Sequence, residues 1–180
     1  MKEEYARILK SSEKPKDEIV VTKPLARTSS EGIIVEGIDN CLIKFSKCCN
    51  PLPGDEIIGF VTRGHGVSVH KRDCTNVPIN IKDSPEPERW INVFWDTNIK
   101  EEFNATINLF CLSRIGLMAD ISTVLANMHV DIRAISTRDL KDENKLMILT
   151  IAVNGIDHLN NVIKYLRKID GVIQIERTGI

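Results

Sequence analysis

The stretch KCCNPLPGDE, residues 47–56, places two adjacent cysteines directly before a proline-containing turn. VSVHKRDC, residues 67–74, follows with a histidine and a third cysteine. Structural zinc sites draw four tetrahedral donors from cysteine and histidine, and Cys48, Cys49, His70 and Cys74 supply that number. The sequence therefore favours a zinc site at these four positions.

The adjacent pair Cys48 and Cys49 requires a bend. Neighbouring side chains on an extended strand point to opposite faces, so both thiols reach one ion only where the backbone turns sharply. Residues 50–54, NPLPG, predict such a turn. Two other interpretations stay open: small hydrophobic cysteines packed at strand ends, and a redox-sensing thiol whose pKa is lowered by neighbouring Lys47.

Cys41 and Cys111 lie inside strand patterns, and for both we expect a place in a hydrophobic core. A cysteine nucleophile would need a base, a group that orients the base, and oxyanion donors, which the sequence does not place. It also lacks GxxxxGK[ST], GxGxxG, HExxH and GxSxG motifs. We therefore expect no catalytic residues in this chain.

Short strands must position the cysteines. GIIVEG, CLIKF, EIIGFVT and GVSVH are rich in valine and isoleucine and are separated by glycine, proline and asparagine. Residues 56–70 predict a hairpin, because Gly64 and Gly66 can adopt the positive φ of a tight turn. Residues 78–89 form a charged connector, and WINVFW, residues 90–95, predicts a strand with Trp90 and Trp95 on opposite faces unless a bulge intervenes. These signals predict a β-rich domain over residues 31–98.

Residues 99–180 show a different pattern. NATINLF, VDIRAISTRDL, LMILTIAV and VIQIERT predict strands, whereas GLMADISTVLANM and IDHLNNVIKYLRKI repeat apolar residues at helical spacing. Gly171 is placed to end the second helix in a left-handed conformation. The order βαββαβ is that of a ferredoxin-like sandwich, with two helices on one face of a four-stranded antiparallel sheet. The predicted fold class is therefore α+β.

Residues 1–30 predict a helix tail and a linker. Tyr5, Ile8 and Leu9 have near-helical spacing, and the following TKPLARTSSEG has no sustained periodicity. We interpret this pattern as a sign that the 180 residues come from a longer protein.

The composition is that of a soluble globular protein, with 42% hydrophobic and 27% charged residues. No apolar run approaches the roughly 20 residues of a membrane span, and the start lacks the apolar region of a secretory signal. We therefore expect a cytoplasmic protein without membrane contact. The formal charge is −1, and no segment of the chain carries the broad positive field expected of a non-specific nucleic-acid binder.

Local basic groups are nevertheless concentrated around the cysteine segment, and they could contact phosphates. They are Lys44, Lys47, Arg63, His65, Lys71 and Arg72. Solvation of a strand edge explains them equally well. In the second unit, Gly116 permits close backbone approach, and the free N–H groups of the following helical turn could bind a carboxylate.

KCCNPLPGDEIIGFVTRGHGVSVHKRDC, followed by a βαββαβ unit containing SRIGLMADIS, resembles the C-terminal regulatory region of the long RelA/SpoT-type enzymes that make and degrade (p)ppGpp. The resemblance extends from about residue 30 over nearly all of the remaining chain. It implies a zinc-finger or ribosome-intersubunit domain over residues 31–98 and an ACT domain over residues 99–180. It also implies that Cys48, Cys49, His70 and Cys74 are the metal ligands.

The resemblance implies a sensor that docks on the ribosome beside uncharged tRNA and relieves autoinhibition during amino-acid starvation. The nucleotide chemistry would belong to amino-terminal hydrolase and synthetase domains outside this chain. ACT domains bind small effectors at the strand-helix junction, frequently across a homodimer interface. An alternative function is therefore an effector module that binds a branched-chain amino acid near Ile115, Gly116, Leu117, Asp131 and Ile132 and mediates oligomerisation or autoinhibition.

Overall fold

The computed structural model describes residues 32–36, 41–64, 66–140 and 144–179. The helix tail and linker predicted for residues 1–30 lie outside these ranges, as does His65. The described residues form a β-rich unit followed by a mixed unit of strands and helices. None of the helices in these ranges has the length and apolar character needed to cross a lipid bilayer.

The first unit is built from short strands and two 3-10 turns, Ile81–Asp83 and Pro87–Arg89. The strands are β1 (Ile33–Val35), β2 (Ile43–Phe45), β3 (Ile57–Thr62), β4 (Gly66–Lys71), β5 (Trp90–Ile91) and β6 (Val93–Trp95). A four-stranded sheet has the order β2-β4-β3-β5, and β1 pairs separately with β6. Valine and isoleucine side chains of both sheets meet in one small hydrophobic core.

The predicted hairpin is confirmed. Strands β3 and β4 pair antiparallel from Ile57 opposite Lys71 to Thr62 opposite Gly66. Gly66 has φ 80°, and a Cβ at this position would lie 2.0 Å from the carbonyl oxygen of Leu42. Both the backbone angle and the lack of space therefore require glycine there.

The single strand predicted for residues 90–95 is wrong in one respect, because it breaks at Asn92. β5 pairs with β3, whereas β6 pairs with β1. The interruption changes the alternation of side chains, so Trp90 and Trp95 line the same groove, of about 720 Å³. Neither ring is free: Trp90 packs on Phe60 with ring centroids 4.7 Å apart, and Trp95 stacks on Phe45 at 5.7 Å.

The second unit has the predicted βαββαβ order. Its elements are β7 (Phe103–Leu112), α1 (Leu117–Asn127), β8 (Ile132–Asp139), β9 (Asn144–Val153), α2 (Ile156–Leu166) and β10 (Val172–Thr178). The sheet is antiparallel throughout, with the order β10-β7-β9-β8. This arrangement confirms the ferredoxin-like α+β fold class.

The core of the second unit lies between the two helices and one face of the sheet. Alternate residues of β7 and β9 point into it, and each helix buries residues at helical spacing, among them Ile121 and Val162. All eight residues of β8, which forms one edge of the sheet, are exposed. Gly171 has the predicted positive φ, 87°, but α2 already ends at Leu166, so the glycine leads into β10 instead of capping the helix.

The turn formed by residues 50–56 joins the two units. Leu52 is fully buried and belongs to the core of the second unit, although it lies in the first. The carbonyl oxygen of Pro53 accepts a hydrogen bond of 2.8 Å from the N–H of Ile156 at the start of α2. The turn thus packs against one end of the second unit, where Leu52 contributes to the core between its helices and its sheet.

An ion pair secures the same turn. Both guanidinium Nη atoms of Arg177, in β10, contact the Asp55 carboxylate, at 3.0 and 2.7 Å. Nη2 also donates a hydrogen bond of 2.7 Å to the carbonyl oxygen of Asn50. The side chains are only 16% and 8% exposed, so each charge depends on the other for compensation.

We predict that Arg177→Met lowers the free energy of unfolding by about 3 kcal/mol, because the Asp55 carboxylate is left buried without its cation. Urea denaturation of the full chain measures the change. Arg133→Met is the matched control, since Arg133 and its partner Glu102 are 46% and 58% exposed. The control should cost less than about 1 kcal/mol. Equal losses in the two variants would contradict the importance of the buried pair.

Candidate metal centre

The bend predicted at the adjacent cysteines is present. Residues 47–49 form a turn in which the N–H of Asn50 donates to the carbonyl oxygen of Ser46 at 2.9 Å. Asn50 has φ 43°, a left-handed conformation that asparagine tolerates better than most residues. The turn brings the Sγ atoms of Cys48 and Cys49 to 3.9 Å from each other.

The other two donors come from the end of β4 and the turn that follows. Nδ1 of His70 lies 3.4 Å from Sγ of Cys48 and 3.9 Å from Sγ of Cys49. Sγ of Cys74 lies 3.5 Å from Sγ of Cys48. All four donor atoms lie within 4.8 Å of one another, so the structure brings the four predicted metal ligands together.

Four of the six donor–donor separations match those of a tetrahedral zinc site. With Zn–S bonds of about 2.3 Å and Zn–N bonds of about 2.0 Å, tetrahedral geometry places two sulfurs roughly 3.8 Å apart and a sulfur roughly 3.5 Å from a nitrogen. The contacts given above span 3.4 to 3.9 Å. Three cysteines and one histidine are also an established donor set of structural zinc sites.

The pKa shifts of two donors affect metal binding in opposite directions. Burial lowers the pKa of His70, which keeps the imidazole neutral and able to ligate. Burial raises the pKa of Cys49 to about 12, although the N–H of Lys71 donates to its Sγ at 3.3 Å. A metal ion would supply the positive charge that ionises this thiol, and its binding would release the proton.

Cys48 differs from Cys49 because it is exposed. Burial alone would raise its pKa, but hydrogen bonds with Asn76, Cys74 and Cys49 outweigh that effect and lower it. The cluster therefore contains one accessible thiol with a lowered pKa and one half-buried thiol with a raised pKa.

Groups around the cluster hold the donors in place. The Trp90 ring lies edge-on to His70, with ring centroids 6.1 Å apart, and Cys74 packs with Ile58 and Val77. The second unit also approaches: a Cβ added to Gly179 would lie 2.3 Å from the carbonyl oxygen of Cys48. The candidate metal centre therefore adjoins the end of β10.

Three of the predicted basic residues lie near the cluster. Lys47 and Arg72 are exposed in the turns that carry the cysteines. Lys71 follows His70 directly, and its Nζ contacts the Asp73 carboxylate at 3.1 Å. Lys47 and Arg72 are accordingly the better placed of the three for contact with an external anion.

Lys44 and Arg63 lie outside the two turns that carry the cysteines. Lys44 pairs with Ser68 in the β2–β4 register, so it shares a sheet face with His70 but lies on a different strand. Arg63 is in the turn of the hairpin. This turn lies beyond Gly66, and Gly66 is itself about 13 Å along β4 from His70. Its guanidinium contacts Glu86 at 2.8 Å. Among the described basic residues, Arg63 is therefore remote from the cysteines, whereas Lys44 is on the strand next to His70.

The residues predicted to bind an effector are not brought together within one chain. Ile115 is fully exposed and Gly116 precedes α1, but the side chain of Leu117 is buried in the core. Asp131 and Ile132 follow the other end of α1, whose eleven residues span about 16 Å. Of the five predicted effector residues, only Asp131 and Ile132 line a groove of about 610 Å³.

Two residues beside the metal donors were not predicted from the sequence to belong to this site. Trp90 lies beside His70, and Asn76 interacts with Cys48, yet no motif links either residue to the cysteines. The one signal for Asn76 was its position two residues after Cys74, because residues this close in a turn lie near one another.

Family models match both units. The model for the RelA/SpoT RIS domain matches residues 33–96, and the model for the ACT domain matches residues 99–177. A solved ACT domain from the GTP pyrophosphokinase of Chlorobium tepidum is 30% identical, covers 43% of this chain and 99% of its own, and has a TM-score of 0.38.

Full-length relatives match over both units. The GTP pyrophosphokinase of Streptomyces coelicolor is 38% identical over 146 residues, which are 81% of this chain and 17% of the relative. The GTP pyrophosphokinase of Escherichia coli strain K12 is 33% identical over 156 residues, which are 86% of this chain and 21% of the relative. The chain spans about a fifth of the length of these relatives. With both domain models matched in this order, the chain belongs to the RelA/SpoT family and corresponds to its C-terminal regulatory region.

Proposed function

We propose that this chain is the regulatory region of a (p)ppGpp synthetase/hydrolase, and that it docks on the ribosome with uncharged tRNA when amino acids are scarce. The observation that carries the proposal is the convergence of four metal donors beside the contact between a RIS domain and an ACT domain. The role of the chain is regulatory, and nucleotide chemistry belongs to other domains of the same protein.

Zinc has a structural role in this proposal. Among the described residues, the hydrophobic cluster that contains Cys74 has Ile58 and Val77 as its other buried members, and small cores of this kind commonly need a metal or another cross-link. A zinc ion would fix the turn of Cys48 and Cys49 against the end of β4. The two turns that carry the cysteines would then hold the exposed Lys47 and Arg72 in one fixed orientation.

The proposed RNA contact depends on local charge. Lys47 and Arg72 are exposed next to the metal donors, and Lys44 is exposed on the same face of the sheet as His70. Contacts from such residues to phosphates position a protein on RNA without reading its sequence. They also release counterions, so the affinity should fall as the salt concentration rises.

We predict that the chain binds about one zinc ion through three thiolates and one imidazole. Substitution with Co²⁺ measures this, because thiolate-to-cobalt charge transfer reports the number of sulfur ligands. Cys48→Ser and His70→Ala should each greatly reduce the bound metal. Cys41→Ser is the matched control, since Cys41 lies outside the cluster, and it should keep full occupancy. Similar metal loss in Cys41→Ser and Cys48→Ser would contradict the site.

We predict that the chain co-sediments with ribosomes carrying uncharged tRNA in the A site, and that the Cys48→Ser, Cys49→Ser double variant does not. Circular dichroism must first show that the variant is folded. Cys41→Ser again serves as the control and should bind normally. Binding that is independent of salt, or equal binding by the double variant, would count against docking through this surface.

A second candidate function is favoured by the groove beside Asp131 and Ile132. The adjacent strand β8 is exposed at the sheet edge, where a second copy of the chain could pair with it. A homodimer formed in this way would offer an amino acid a site between two ACT domains, where one copy supplies this groove and the other supplies the Ile115–Gly116 junction.

We predict that valine, leucine or isoleucine binds at this groove, and that Asp131→Ala weakens the binding because Asp131 is one of the two charged residues lining it. Titration calorimetry measures the affinity, and sedimentation velocity measures dimerisation. Asp157→Ala, on the exterior of α2, is the control. Absence of both heat and thermal shift at millimolar amino acid would eliminate this function.

A further inference from the structure

The cysteine cluster contains a pair of thiols arranged for oxidation. Cys48 is exposed, and its Sγ lies 3.5 Å from Sγ of the buried Cys74. The Cys48 sulfur is therefore accessible to a small solute, and the Cys74 sulfur contacts the Cys48 sulfur from the interior. We propose that Cys48 and Cys74 are a peroxide-sensitive thiol pair that closes to a disulfide.

The third thiol of the cluster is not a suitable partner. Cys49 is adjacent to Cys48 in a chain without cis peptide bonds among its described residues, so their Cα atoms are about 3.8 Å apart. Disulfides need Cα separations of roughly 4.4 to 6.8 Å, and a shorter separation strains the bond. Sγ of Cys49 is also half-buried, and it accepts a hydrogen bond from the N–H of Lys71.

The remaining described cysteines are excluded by position. Cys111 is fully buried in β7, inside the core of the second unit. Cys41 is half-buried and packs against the core of the first unit, away from the metal donors. Peroxide therefore reacts first with Cys48, and Cys74 is the thiol positioned to react with the oxidised Cys48 sulfur.

The oxidant is hydrogen peroxide or a related hydroperoxide. Cys48 Sγ attacks one peroxide oxygen, the O–O bond breaks, and water leaves with the thiol proton, which yields a sulfenic acid. Cys74 Sγ then attacks the Cys48 sulfur, the S–O bond breaks, and the hydroxyl leaves as water with the Cys74 proton. In total, two thiols lose two electrons, and one hydrogen peroxide is reduced to two waters.

The disulfide has a consequence for the proposed zinc site. Two of the four donors would be joined to each other, so the chain could no longer hold a tetrahedral ion. Oxidation and metal binding are then mutually exclusive states of the same residues. This consequence depends on the proposed zinc function, whereas formation of the disulfide does not.

The test uses the full chain, reduced and freed of metal, with one molar equivalent of hydrogen peroxide. Alkylation should show that two of the five cysteines have lost their thiols. Trypsin cuts after Lys47, Arg63, Arg72 and Lys82, so mass spectrometry without reduction should find the peptides 48–63 and 73–82 joined. Thiol loss spread over all five cysteines, or no such link, would overturn the proposal.

Variants assign the partners. Cys49→Ser should still form the link, whereas Cys48→Ser and Cys74→Ser should not. In Cys74→Ser, the Cys48 sulfenic acid should accumulate and be trapped by dimedone. A link that survives in Cys48→Ser but is lost in Cys49→Ser would transfer the role to Cys49 and contradict the proposal. If a variant does not fold, fragmentation of the linked peptides from the unsubstituted chain between Cys48 and Cys49 shows which of the two is bonded to Cys74.

A zinc-loaded sample separates this inference from the zinc function. Peroxide should release zinc in proportion to the disulfide formed, and a chromogenic chelator measures the release. If the chain binds no zinc but still forms the disulfide, the metal function fails and the thiol pair stands. If zinc binds and the metal-free chain forms no link, the thiol pair fails and the metal function stands.

Discussion

The contact between Asp55 and Arg177 determines how the two units are arranged. Its two short hydrogen bonds join a turn of the β-rich unit to the last strand of the ACT unit, and both side chains are largely buried. A buried pair of charges penalises every arrangement that separates them, because either charge alone would be left desolvated. The pair therefore favours the orientation that keeps both charges together, and Leu52 and Pro53 complete the same contact with apolar packing and a backbone hydrogen bond.

The cysteine turn and the docking turn are consecutive parts of one segment. Cys48 and Cys49 are at its beginning, and Leu52 and Asp55 follow within the next residues. Any change that moves the cysteines, whether metal binding or oxidation, acts on backbone that is already fixed against the second unit. The approach of Gly179 to the Cys48 carbonyl oxygen adds a second point of contact. The candidate metal centre is thus part of the interface between the units and is not an isolated site.

The groove beside Asp131 lies at the same end of the ACT sheet as this interface. Ile132 pairs with Ile151, and Phe103, which packs against Trp95 of the first unit, pairs with Val153. The strand-helix junction at Gly116 is at the opposite end of α1. A ligand in the groove would therefore lie closer to the first unit than a ligand at the junction.

Much of the fold follows from local pattern. The helical spacing of apolar residues in α1 and α2, the glycines of the hairpin and the βαββαβ order are all legible in the sequence, because each depends on neighbours within a few positions. The four metal donors were also identifiable, since donor chemistry is a property of residue type. What the sequence could not provide was the geometry of those donors, which depends on the register of β4 against β3 and on the turn before Asn50.

By itself, then, the sequence determined the element types, the two-unit order and the identity of the donor residues. Only the tertiary structure decided that WINVFW divides at Asn92 between two sheets, that Trp90 supports His70, and that Leu117 is buried far from Asp131. It also decided the partnership of Asp55 and Arg177. The physical reason is that periodicity reports which face of its own element a residue occupies, whereas contacts between distant segments depend on how complete elements pack together.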